Sequence, residues 1–358
     1  MSVDLPLREA PRSICVLRLS ALGDVCNAVP TVRALQRQWP DCRITWVIGK
    51  VERLLLEGLE GVEFITYDKR SGLKGVLALR RQLAGRHFDI LLNMQAALRA
   101  SLVSLAIPAR LKLGFDRERA KDRQTLFTHA QIPPHPRSHV LEGFQDFART
   151  LGVDPLPLAW NIPIPAADRE RAQQRAPDAP YLVISPCSSQ RIRNFRNWSV
   201  AGYAAVVDHA YQHYGVHTVL TGGNSELEQQ YGREISAQSN SPVINLIGQT
   251  SLKELLALIG NAVAVMGPDS GPMHMATTTG TPTLGLYASS NPDRTGPYLG
   301  RRWVINRYPD QVRQTFNAEV SEISWGKRVR DPNVMDSITV DEVIAKLDQL
   351  LATPVELR

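Results

Sequence analysis

Short apolar runs alternate along this chain with stretches whose apolar positions recur every three or four residues, the pattern of strands followed by amphipathic helices. Residues 13–19 (SICVLRL) read as a strand. Val25, Val29, Val32, Leu35 and Trp39 then line one face of a helix. Strands are expected at 43–48, 62–66, 88–92 and 110–114, with helices over 51–59, 74–84 and 96–106 between them. A helix over 139–151, stopped by Gly152, closes this series. The pattern then restarts. Strands are predicted at 181–185, 217–221, 243–246, 263–266, 283–287 and 303–306, and helices at 199–215, 226–238, 251–260, 272–279 and 339–351.

Alternation of this kind builds parallel sheets with helices on their faces. Pro155, Pro157, Pro163 and Pro165 crowd the span between the two series, which places a linker there. The expected division is a Rossmann-like domain over 1–165, a second over 166–338, and a closing helix and tail over 339–358. Residues 115–136 are rich in charge and proline and read as a mobile surface loop suited to gripping a ligand.

Composition narrows the class. The 358 residues are 43% hydrophobic and 21% charged, ordinary for a soluble chain with sizeable cores. Cys15, Cys26, Cys42 and Cys187 have no paired spacing, which fits a reducing, cytoplasmic setting. No run is long enough for a bilayer span, and the opening MSVDLPLREAPRS lacks a signal peptide's apolar core. The net charge of +6 is lopsided: residues 1–170 hold 24 Lys and Arg against 18 Asp and Glu, and the remainder balances. Between residues 69 and 123 there are 13 basic and 4 acidic residues. Such a surplus attracts an anionic partner, whether nucleic acid, acidic lipid or a phosphorylated sugar.

Candidate chemistry collects where strands run into helices. The loop Gly267-Pro268-Asp269-Ser270-Gly271 leads into a helix whose free N–H groups suit a phosphate, with His274 near enough to add a donor. Asp269 and Ser270 serve equally well as helix caps on this pattern. Asp24, after Gly23 at the start of the first helix, fits either a general base or a cap. Arg191, Arg193 and Arg196 follow the strand YLVIS beside Ser188 and Ser189, and this mixture suits a diphosphate or a solvated loop. Glu226, after Gly222-Gly223, fits a ribose contact or a favourable helix start. There is no GxGxxG turn after the first strand, no GxxxxGK[ST] loop, no Asp-x-Asp and no close His/Cys metal spacing. These absences argue against a nicotinamide dehydrogenase, a P-loop nucleotidase and a chelated metal.

Two signatures together resemble glycosyltransferase family 9, the heptosyltransferases of lipopolysaccharide core assembly. One is Arg18-Leu19-Ser20-Ala21-Leu22-Gly23-Asp24 with Pro30. The other is Gly267-Pro268-Asp269-Ser270-Gly271-Pro272-Met273-His274 with Gly280-Thr281-Pro282, Tyr287 and Asn291-Pro292. The resemblance implies a GT-B fold, two Rossmann-like domains facing a cleft, and inverting, metal-independent transfer of a sugar, heptose above all. The donor is an ADP-sugar, no cofactor is needed, and the acceptor is an anionic glycolipid of the Kdo–lipid A type at the cytoplasmic face of the inner membrane.

Carried over by residue, Asp24 is the base. Arg196, Ser188, Ser189, Glu226, Asp269, Ser270, Gly271 and His274 hold the donor, and Arg196 also stabilises the leaving ADP. Arg117, Arg119 and Lys121 in the basic stretch are expected to meet the acceptor. Departures are visible too: Asn93 stands where an Asp is common, and the 185–198 loop differs from the family's in length and charge. Another GT-B transferase, a nucleotide-sugar epimerase, or a non-catalytic protein binding anionic lipid or nucleic acid are the competing readings. The chain has no RNA-binding signature, so nucleic acid is not the expected partner.

Overall fold

The computed structural model describes residues 4–188 and 194–354. Ser189, Arg191 and Arg193 therefore lie outside the described residues. The chain divides into two units, Met1–Pro163 and Ile164–Arg358.

The first unit runs β1 (Ser13–Leu17), α1 (Leu22–Gln38), β2 (Arg43–Gly49), α2 (Lys50–Leu56), β3 (Val62–Tyr67), α3 (Gly72–Gln82) and β4 (Phe88–Asn93). It continues through α4 (Leu98–Ser104), β5 (Ala109–Gly114), the short β6 (Ala130–Gln131) and α5 (Val140–Thr150). All its strands are parallel, in the order β3-β2-β1-β4-β5-β6. Buried apolar runs such as Ile14 to Leu17 and Ile90 to Leu92 are what a sheet covered on both faces requires.

The second unit runs α6 (Ala166–Arg175), β7 (Tyr181–Ile184), α7 (Val200–Tyr214), β8 (His217–Leu220), α8 (Glu226–Gln238), β9 (Val243–Asn245) and α9 (Leu252–Asn261). Then follow β10 (Ala264–Pro268), α10 (Gly271–Thr279), β11 (Thr283–Tyr287), α11 (Pro292–Thr295), β12 (Ile305–Asn306), α12 (Tyr308–Phe316) and α13 (Val340–Ala352). The parallel order is β12-β11-β10-β7-β8-β9. The closing segment belongs to this unit's core: Met335, Ile338, Val343 and Leu347 pack with Trp198 and Tyr203, and the Trp198 indole donates to the Ile338 carbonyl at 2.9 Å.

In each sheet the strand order reverses at one place, between β1 and β4 in the first and between β7 and β10 in the second. Ligands of doubly wound sheets collect there, beyond the carboxyl ends of the strands. Gly267 shows how tightly the second switch point is built, because a Cβ on it would lie 2.4 Å from the Ser185 carbonyl oxygen. Gly280 ends α10 in the left-handed region at φ 74°, where glycine alone is unstrained.

Three expectations change. Residues 115–136 are pinned rather than loose: Gln124 is buried and its amide donates to the carbonyls of Asn93 and Gln95 at 3.0 and 3.2 Å, while β6 adds an edge strand. The strand expected over 303–306 is a 3₁₀ turn, Arg301–Trp303, followed by the two residues of β12. Three helices stand where none was expected, α6, the one-turn α11 and α12.

Candidate functional site

The first switch point is organised by Arg18 and Gln95. Arg18 leaves β1 and donates from Nη1 to the Met94 carbonyl at 2.6 Å, while its guanidinium lies over the Phe144 ring. Gln95, just past β4, accepts from the Leu19 N–H at 2.7 Å and donates to the Ser20 hydroxyl. The two loops at the strand ends are thereby tied together. Asp24 sits in the first turn of α1, where its carboxylate accepts from the Ala21 N–H at 3.1 Å and pairs with Nη2 of Arg18. Its side chain keeps 31% of its surface exposed. Both readings of Asp24 thus have a physical basis: it caps the helix start, and it presents a carboxylate at the switch point. At the end of β4, in register with Leu17, Asn93 is fully buried, and neither end of its amide has a partner among the described residues.

The basic residues of the 115–136 segment divide into two kinds. Arg117 and Lys121 are exposed. Arg119 instead turns inward, pairing with Asp116, with Asp146 at 2.9 Å, and donating to the Pro133 carbonyl at 2.9 Å. Asp146 also pairs with Arg149 and contacts His135. This network fastens the segment to α5, a task the sequence reading did not assign to Arg119.

At the second switch point, the loop after β7 meets the loop after β10. The Ser188 hydroxyl donates to Asn197 Oδ1 at 3.1 Å and accepts from the Asn194 amide at 2.6 Å, so this serine shapes the loop. Arg196 is buried; Nε donates to Asn194 Oδ1, and Nη1 donates to the Asp269 carbonyl at 2.7 Å and its carboxylate at 3.0 Å. A second guanidinium, Arg328, approaches the same carboxylate at 3.7 Å. Two guanidinium groups thus converge on one carboxylate. Burial, reinforced by the Asp269 charge, pushes the Tyr287 phenol well above its ordinary value of 10.0.

Ser270 occupies the N-cap position of α10, yet its hydroxyl makes no cap hydrogen bond. Its Oγ is buried without a partner among the described residues. The capping reading therefore fails for Ser270, and Asp269 is committed to arginine. His274 is buried in the first turns of the same helix. Asn291 accepts from the Asp293 N–H at 3.0 Å, while its Nδ2 is buried and unpartnered among the described residues.

Glu226 is the exposed first residue of α8. The neighbouring Glu228 closes the loop, accepting from the Gly223 N–H at 2.7 Å and from the Ser225 hydroxyl. The spacing Ser225 to Glu228 is a capping box legible in the sequence. Arg328 was not legible, since only the fold returns it from far along the chain to Asp269. Among the described residues no group of three or more His, Cys, Asp or Glu side chains could hold a metal ion.

Two doubly wound parallel sheets, one per unit, with polar and charged groups gathered at both switch points, are the architecture of the GT-B fold. The chain belongs to glycosyltransferase family 9 (heptosyltransferase), whose family model matches residues 76–324. It is 40% identical to the lipopolysaccharide core heptosyltransferase OpsX of Haemophilus influenzae, over 96% of this chain and 98% of that one. Lipopolysaccharide heptosyltransferase 3 of Escherichia coli K12 is 27% identical over 92% and 95% of the two chains. Among solved structures, the family 9 glycosyltransferase of Veillonella parvula superposes with TM-score 0.78 at 23% identity, covering 95% of this chain and 97% of that one. The E. coli ADP-heptose lipopolysaccharide heptosyltransferase II gives 0.71 at 22% identity, covering 95% and 98%.

Proposed function

We propose that this enzyme transfers heptose from an ADP-activated donor to the inner core of lipopolysaccharide, with inversion at the anomeric carbon and without a metal. The observation that carries the reading is the 40% identity, over nearly the full length of both chains, to a lipopolysaccharide core heptosyltransferase. The first unit takes the acceptor. Asp24, oriented by Arg18 and the Ala21 N–H, removes the proton of the attacking hydroxyl. The second unit takes the donor. Arg196 and Arg328 around Asp269, together with the Ser270 hydroxyl and the N–H groups that begin α10, supply donors to the departing diphosphate. Gly271, having no side chain, leaves that helix start open, and His274 in the first turns of α10 adds a donor contact. Ser188 and Asn194 hold the segment that carries Arg196, Ser189 is a further donor contact, and Glu226 meets the ribose. Exposed Arg117 and Lys121 meet the anionic acceptor, which is borne by the cytoplasmic face of the inner membrane. The proposed contact with that face is peripheral; no helix of the described residues is long and apolar enough to cross a membrane.

Mass spectrometry of a truncated Kdo–lipid A acceptor incubated with a panel of nucleotide sugars tests this. Addition of one heptose, from the ADP-sugar alone and undiminished by EDTA, is the expected result. Transfer from another nucleotide, epimerised free sugar, or activity lost to EDTA and restored by a divalent ion would overturn it.

A further inference from the structure

The two helices α3 and α4 cover one face of the first sheet and are apolar on the wrong side as well as the right one. Their inner residues, Leu79, Ala100 and Val103, share a core with Leu17 and Val47 of the strands. Their outer faces carry Leu73 and Leu77 on α3, Leu98 and Leu102 on α4, and Leu105 at the α4 C-cap, all exposed, with Leu73 at 75% and Leu105 at 60%. Positions 98, 102 and 105 follow the helical repeat, so these three leucines form one stripe that turns away from the core. Leu126, 74% exposed, lies on the 3₁₀ turn that contacts α4. A surface helix of a self-contained unit normally places polar residues there.

The charges around these leucines have one sign. Along α3 the charged residues are Lys74, Arg80 and Arg81, along α4 only Arg99, and neither helix holds a carboxylate. Exposed Lys121 and Arg123 are brought to the start of α4 because Asp122, between them, accepts from the Leu98 N–H at 2.9 Å. Of the acids nearby, Asp122 is thus engaged as a helix cap, Asp68 accepts from the Arg70 N–H, and Glu118 is exposed among Arg117, Arg119 and Lys121. The exposed Val51 and Leu54 of α2 offer a contrast, since exposed Glu57 and Glu60 follow them.

We infer that the α3–α4 layer is a membrane-docking face that lowers its leucines into the acyl region of an anionic bilayer while Lys74, Arg80, Arg81, Arg99, Lys121 and Arg123 meet lipid phosphates. Apolar side chains rimmed by long cations, without carboxylates between them, are what an interfacial surface needs: the leucines lose water, and the cations keep their heads at the phosphate level. A protein partner of ordinary composition would leave these cations without matching acids, and a nucleic acid would leave the leucines uncovered. The inference deepens the reading of a membrane-borne acceptor and names the surface that reaches it.

The test is sedimentation of the full chain with vesicles of phosphatidylcholine alone and of phosphatidylcholine mixed with phosphatidylglycerol, with neither donor nor acceptor present. Partitioning should be at least about tenfold stronger onto the anionic vesicles and weaken as salt is raised. The variant Leu77→Ser/Leu102→Ser/Leu105→Ser should lose roughly tenfold or more in partitioning with its melting temperature unchanged. Val51→Ser/Leu54→Ser should partition like the parent. Arg80→Ser/Arg81→Ser touches only exposed cations and gives a second reading: it should weaken binding to anionic vesicles and leave neutral ones unaffected. Equal partitioning of the parent onto both vesicle types, or of the leucine variant and the parent onto anionic ones, would overturn the inference. So would a parent dimer that the leucine variant breaks into monomers, since the face would then belong to a second copy. Vesicle binding is read without turnover, so its failure leaves heptose transfer standing, and failed transfer leaves the docking face standing.

Discussion

Asp24 has two obligations, one to the start of α1 and one to Arg18, and the proposed chemistry adds a third. Asp24→Asn keeps the shape and much of the capping while removing the basicity. Turnover should fall by roughly 10² to 10⁴ with ADP affinity unchanged, since the donor groups are carried by the other unit. The lost ion pair to a largely buried arginine should lower stability by only about 1 kcal/mol, because the carboxylate is partly exposed. A folded Asp24→Asn enzyme with full activity would reduce Asp24 to a cap. Arg196 is the opposite case. As a loop arginine its removal would weaken ADP binding alone, but the structure buries it against Asp269. Arg196→Ala therefore strands a buried carboxylate and should cost roughly 3 kcal/mol of stability in addition to donor affinity, with Arg328 too distant to compensate fully. Calorimetry with ADP beside a melting curve reads both effects; a loss of affinity with no loss of stability would show that the pair contributes nothing to the fold.

The elements were legible wherever apolar periodicity was strong. The helix over 226–238 and the strand over 283–287 fall where the pattern places them, and Ser199 and Thr339 cap their helices as their residue types suggest. Two helices were invisible for a physical reason. In α6 only Ala172 and Asp168 are buried, so the helix has no apolar stripe to read; it is held by Asp168 accepting from the Ser251 hydroxyl and by Arg175 reaching Gln249 and Glu254. In α12 only Tyr308 and Val312 face the core, although Pro309 in the first turn was a usable start signal. The pinning of the 115–136 segment is hidden in the sequence because charge reads there as solvation, whereas Arg119 pairs inward with Asp116 and Asp146. The same blindness hid Arg328, whose partner lies far off in sequence. A consequence can be measured within this one segment. Arg117→Ser/Lys121→Ser should raise the acceptor KM severalfold and leave ADP affinity and melting unchanged. Arg119→Ala should instead lower stability by roughly 3 kcal/mol, since it takes the cation from buried Asp116 while Asp146 keeps Arg149. If all three residues behaved alike, the division into outward and inward cations would be wrong.

Across the whole molecule, ionisable groups that the fold keeps neutral are spread over both units, and this sets an alkaline limit on stability. Burial pushes the Cys42 thiol up from 9.0 to about 11 and the Cys187 thiol to about 12, and raises Cys15 and Cys26 further still. The phenols of Tyr181 and Tyr231 rise from 10.0 to about 12, again chiefly through burial, and burial raises Tyr203 as well. Each of these groups binds its proton more tightly in the folded chain than in the unfolded one. Above pH 9 the unfolded chain therefore sheds protons that the folded chain retains, and stability must fall as pH rises. The contribution is fully present below pH 9 and is lost progressively through pH 12, so urea midpoints should hold steady between pH 7 and 8.5 and decline from about 9 upward. The same burial makes the thiolates inaccessible: all four cysteines should react with a thiol reagent at pH 8 only once the protein is unfolded. Cysteine-to-alanine replacement at Cys187 should soften the decline attributable to the second unit while costing packing there. A urea midpoint that stays flat through pH 11, or a thiol that reacts quickly in the native enzyme, would show that these groups reach solvent by local opening well below the free energy of global unfolding.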